Sequence, residues 1–145
     1  MNINYKFNFN QDDKAWLISE TLNPKSTCLT LWYHAFGSSI GSLRIYSADT
    51  NITNRNLLWE ISGQQSVDNK DWKKGVVPIS NIQDKYVVLI EGTVGKDYNG
   101  DISIDDIAFL DYTSSCSLEP TLAIPTTTTK APTTTQGSVY GLDLD

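Results

Sequence analysis

Apolar and polar residues along this chain alternate in short runs, and no window shows the three-and-four spacing of an amphipathic helix. Seven runs predict strands: Ala15–Leu22, Cys28–Phe36, Ser42–Ala48, Leu57–Ile61, Trp72–Ile79, Lys85–Gly92 and Gly100–Phe109. The run Cys28–Phe36, CLTLWYHAF, organises the rest. Read as a strand, it turns Leu29, Leu31, Tyr33 and Ala35 one way and Cys28, Thr30, Trp32, His34 and Phe36 the other. Neither face is polar, which predicts a strand in mid-sheet covered on both sides. Periodicity alone also admits a short buried helix, but the aromatic content and the closing Gly37 and Gly41 favour a strand.

The other runs give finer expectations. In Ser42–Ala48, Leu43, Ile45 and Ser47 point inward while Arg44 and Tyr46 point outward. In Lys85–Gly92, Tyr86, Val88 and Ile90 share one face, and Val87, Leu89 and Glu91 the other. Pro78 near the end of its run predicts an edge strand. Ile102 and Ile104 alternate with Asp101, Ser103 and Asp105 until the phase slips at Asp106-Ile107, which predicts a bulge. Asn23-Pro24-Lys25-Ser26 is a turn, and Asp49–Asn56 a polar loop carrying the sequon Asn51-Ile52-Thr53. Tyr5, Phe7 and Phe9 alternate as an edge strand would. Seven strands without a helix predict an all-β antiparallel sandwich or barrel.

At 145 residues the chain holds one domain. A net charge of −6 disfavours nucleic acid and anionic membranes as partners. No run approaches the ~18 apolar residues of a membrane span. After Cys116 the composition turns to threonine and proline, so residues 117–137 are expected to be a linker of the O-glycosylated stalk type, with a tail or the start of a further module at 138–145. The opening residues MNINYKFNFNQDD lack the marks of a signal peptide. Cys28 opens the central strand and Cys116 follows the last one. They are either two buried thiols or a bridge closing most of the domain into one loop, worth roughly 4–5 kcal/mol.

Catalytic chemistry finds little support. His34 is the only histidine and sits inside the apolar strand, where a structural role is expected; no zinc pair and no Ser-His-Asp site can be assembled without it. Glu91 with Asp101, Asp105 and Asp106 supplies carboxylates but no groove for glycoside chemistry. The three aspartates lie near an acidic loop containing Asp97. They read either as oxygen ligands for a hard cation or as a solvated acidic edge that deters strand addition.

Taken in order, Ala15-Trp16-Leu17-Ile18-Ser19, the run Cys28–His34 with Gly37, Gly41-Ser42-Leu43, Leu58-Trp59, Glu91-Gly92 and Gly100–Ile107 resemble the MAM domain over Ala15–Cys116. That module is named for meprins, the A5 antigen (neuropilin) and the mu-type receptor tyrosine phosphatases. The resemblance implies a jelly-roll β-sandwich, an extracellular setting and a Cys28–Cys116 disulfide. It implies a structural Ca²⁺ held partly by Asp106, which falls on the inward phase after the slip, with Asp105 and Asp101 and with residues of the missing part, no other cofactor being required. The family's upstream cysteine pair and opening strands have no counterpart in residues 1–14, so a fragment with exposed edges and a tendency to self-associate is expected.

The function implied is a non-catalytic recognition or adhesion module of a larger cell-surface or secreted protein. Its partner would be an extracellular protein, like-with-like contact included. Tyr46, Trp72 and Tyr98 are candidate contact residues, although core packing is the expected fate of Trp72. Two alternatives stand beside it: a carbohydrate-binding jelly roll, for which a flat exposed aromatic triad is not evident, and an accessory domain of a secreted protease.

Overall fold

A computed structural model describes residues 10–123, which contain seven strands and no helix. The strands are β1 (Lys14–Ile18), β2 (Thr27–Gly37), β3 (Ile40–Asp49), β4 (Arg55–Ser62), β5 (Lys73–Ile79), β6 (Tyr86–Val94) and β7 (Gly100–Asp111). They form a four-stranded sheet, β1-β6-β3-β4, packed on a three-stranded sheet, β5-β2-β7, with every pairing antiparallel. Of the sandwich or barrel that the alternation predicted, this is the sandwich, in keeping with the jelly roll that the resemblance implied. Tyr5, Phe7 and Phe9 lie outside the described residues.

The core is the sum of the inward phases. Leu29, Leu31 and Tyr33 of β2 and Val77 and Ile79 of β5 meet Leu43 and Ile45 of β3, Trp59 and Ile61 of β4, and Tyr86, Val88 and Ile90 of β6. Trp59 is fully buried, and Tyr33 meets it edge-on at 5.3 Å. Gly75 is where Leu31 enters: a Cβ there would stand 2.7 Å from the Leu31 side chain. Pro78 sits in β5, an edge strand as predicted, where its missing N–H costs the ladder nothing.

The Cys28–Cys116 disulfide is formed and spans 88 positions. With Val76 it makes a small cluster apart from the main core. The chain does not become linker directly after Cys116. Glu119 pairs with Val76 on the β5 edge through N–H···O bonds of 3.0 and 3.1 Å. Its carbonyl also accepts the Trp59 indole N–H at 2.7 Å. Ala123 is buried and its carbonyl accepts from the Glu60 amide of β4 at 3.2 Å, while Leu118 packs on the core. Residues 118–123 therefore strap the edge of one sheet to the edge of the other. The rest of the expected linker and tail lies outside the described residues.

Two sequence expectations change. The strand buried on both faces is β6, not β2: Tyr86 through Glu91 are all buried without interruption. On β2 the inward phase is buried, but Trp32 is 41% and Phe36 39% exposed, because the opposite layer covers only a strand's inward face, and the outer face of β6 is closed instead by side chains of its own sheet. The predicted bulge is present where β7 passes Leu31, between the Thr30 and Trp32 pairings. Asp106 there has φ of +49°, and its side chain is exposed, not on the inward phase assigned to it above. Boundaries shift slightly: β1 ends at Ile18, and the loop after β3 shrinks to residues 50–54.

Candidate functional site

The outer face of β5-β2-β7 carries a row of aromatic rings. Trp32, His34 and Phe36 alternate outward along β2, and Trp72 stands beside them just before β5. The His34 ring lies 5.6 Å from that of Trp72 and 6.2 Å from that of Phe36. Its Nε2–H donates to the Asp68 carbonyl at 2.8 Å. The loop that delivers Trp72 is fixed to β2, since the amides of Gln65 and Ser66 both donate to the Ala35 carbonyl, at 2.9 and 3.0 Å. Asp71 accepts from the Val67 amide and pairs with Lys73, and the hydrogen bond from Lys73 holds its carboxyl below the usual range. Trp72 is 38% exposed and so not a core residue; its place ahead of β5 puts it on the outward row. His34 is likewise on the outer face, within a stack, and not in an apolar interior.

Cross-strand register sets charges along this row. Asp105 of β7 and Lys74 of β5 both lie opposite Trp32, Ser103 lies opposite His34, and Asp101 opposite Phe36. Opposed residues on one face have Cβ atoms about 5 Å apart. Asp101 and Asp105 are exposed and have no ion-pair partner among the described residues.

The outer face of the four-stranded sheet is built differently. Glu91 is fully buried on β6, flanked in register by Trp16 of β1 and Arg44 of β3. Its carboxylate accepts from the Trp16 indole at 2.9 Å and from Lys14 Nζ at 3.2 and 3.3 Å, with Arg44 and the Tyr46 hydroxyl at 3.5 Å. Burial pushes the Glu91 carboxyl upward. The bonds from Trp16 and Lys14, the Lys14 charge and the Arg44 bond outweigh it, leaving the group below its ordinary value of 4.5. Arg44 also pairs with Glu60 at 2.7 Å. Burial raises the Tyr46 hydroxyl, and the Glu91 charge adds to that. The Arg55 guanidinium sits 5.3 Å from the Trp16 ring and 5.9 Å from that of Tyr46.

The candidate contact residues are thus not gathered. Tyr46 is half-buried beneath Arg55, Trp72 is on the opposite sheet, and Tyr98 is 92% exposed at the lip of an open groove of about 960 Å³ between the β2–β3 turn and the β6–β7 loop. Asn51 is exposed in the loop after β3, where Asp49 accepts from the Thr53 and Asn54 amides and the Asn54 side chain. Asp101 and Asp105, four positions apart on a strand, are separated by about 13 Å. Among the described residues no group of three or more His, Cys, Asp or Glu converges. These residues alone do not make the oxygen shell that Ca²⁺ requires. Trp16, Trp32, Phe36 and Arg55 are not among the site residues expected from the sequence. The outward phase of β2 was the available signal, and it had been assigned to a covered face.

The chain matches the family described as MAM domain, meprin/A5/mu, over residues 1–117, beginning upstream of Ala15. It is 37% identical over 111 residues to Neuropilin-1a of Danio rerio, covering 70% of this chain and 11% of that protein. It is 33% identical to MAM domain-containing protein 2 of Mus musculus, covering 65% and 13%. It is 35% identical to MAM domain-containing glycosylphosphatidylinositol anchor protein 1 of Gallus gallus, covering 66% and 10%. The chain therefore spans about a tenth of the length of these relatives.

Proposed function

This chain belongs to the MAM domain family, and from that premise we propose that it is a non-catalytic extracellular recognition module of a larger cell-surface or secreted protein. The observation that carries the reading is the exposed row Trp32, Phe36 and Trp72 on one outer face of the sandwich. Tryptophan is a favoured anchor at protein interfaces, and large exposed apolar patches mark binding sites. The Cys28–Cys116 bridge supports an oxidising compartment. Asn51, exposed in a loop, fits a glycan acceptor, which an endoglycosidase mobility shift lost in Asn51→Gln would report.

The test is an array of extracellular domains, this chain included as one of its own targets, probed with the full 145-residue chain. Saturable binding to a defined target, reduced by Trp32→Ala and Trp72→Ala, is expected. Binding to the chain itself would make the contact like-with-like. No saturable target, or binding indifferent to both substitutions, would overturn the reading. A second reading is favoured by the same exposed rings: Trp32, Phe36 and Trp72 offer the stacking surface that a sugar-binding jelly roll needs. Defined hits on a glycan array, lost in Trp72→Ala, would promote it.

A further inference from the structure

The two outer faces combine the same parts, aromatic rings and carboxylates, but among the described residues only one has a cation seated over its rings. On the four-stranded sheet, Arg55 lies over Trp16 and Tyr46, while Lys14 and Arg44 reach Glu91. On the three-stranded sheet, Trp32 with Asp105 and Phe36 with Asp101 repeat the ring-beside-carboxylate pairing in two cross-strand rows, with no cation over either ring among the described residues. We propose that these two rows are seats for the basic side chains of an extended arginine- or lysine-bearing segment of a partner protein.

Each row offers a guanidinium or ammonium a π face and an adjacent carboxylate. The rows are four strand positions apart, about 13 Å. An extended ligand therefore meets both seats with basic residues four positions apart; residues two apart span only about 7 Å. Lys74, on the β5 side of Trp32, repels a cation from that flank and directs it toward Asp105. The charge of −6 favours encounter with a basic partner.

The inference rests on the recognition-module reading and specifies its partner. A basic peptide that fails while an extracellular target is still captured through Trp32 would sink this inference alone. The probe is a synthetic peptide with two arginines four positions apart in a serine background, titrated into the full chain at low salt. Controls carry glutamine for arginine, or arginines two apart. Saturable binding is expected, weakened about five- to tenfold by Asp105→Asn, by Trp32→Ala and by the shorter spacing. Unchanged melting of Asp105→Asn would separate this loss from misfolding. Three results would overturn the proposal: equal affinity for the Asp101→Asn/Asp105→Asn protein, equal affinity for the short-spaced peptide, or a neutral oligosaccharide or second copy of the chain occupying the face unaffected by the aspartate substitutions.

Discussion

The outer faces of the two sheets are made from similar residues and solve opposite problems. Over β6 the carboxylate is fully buried, and Trp16, Lys14, Arg44 and Tyr46 close around it. A charge removed from water is tolerable only when it is paired and hydrogen-bonded, so this face stabilises the fold. Over β2 the carboxylates are exposed and the rings half-exposed, so nothing there needs a partner for the fold to hold. One face is satisfied by its own chain; the other is available to something else.

Substitutions should separate the two roles, and they rank by size. The largest effect belongs to the covered end of the β2 face. Replacing Cys28 and Cys116 with serine should cost about 4–5 kcal/mol in urea unfolding, because an 88-position loop is released. Next is Glu91→Gln, which leaves the cations around a buried site without their anion; a loss of about 2–3 kcal/mol is expected. The Glu91 carboxyl is held below its ordinary value of 4.5 by Trp16 and Lys14 against the cost of burial. Its ionised form thus stabilises fully above that value, and the contribution is lost as pH falls through the lower folded value. Acid titrations of stability should therefore be steeper below pH 4.5 in the wild type than in Glu91→Gln. Arg55→Ala should cost about 0.5–1 kcal/mol, the size of an exposed cation–π contact. Asp105→Asn, on the open face, should stay within about 0.5 kcal/mol of wild type. A large loss there would mean that the second face is structural as well.

Much of the sandwich could be read from local pattern, because alternation and phase are local properties. The inward residues of β2, β3 and β6 and the bulge at Asp106-Ile107 came from spacing alone, and the edge position of Pro78 from the N–H that proline lacks. What covers an outward face is not local. Glu91 gave only its phase; its partners Lys14 and Arg44 lie 77 and 47 positions away, and no spacing rule connects them. For the same reason the apolar outer phase of β2 looked buried, while in the fold no layer of the described residues lies over Trp32 and Phe36. The strap at 118–123 was hidden too, since Leu118 stands alone and Ala123 belongs to a run of only three apolar residues, and their value comes from the gap between two sheet edges.

The division of labour between the faces is tested most directly by two double variants, Trp32→Ala/Trp72→Ala and Trp16→Ala/Arg55→Ala, each taken through thermal unfolding and through binding to one captured extracellular target. The first pair is expected to keep its melting temperature and lose binding, and the second to melt several degrees lower, about what 1 kcal/mol implies for a domain this size, and still bind. The opposite outcome, with binding following Trp16 and Arg55 and stability following Trp32 and Trp72, would contradict it.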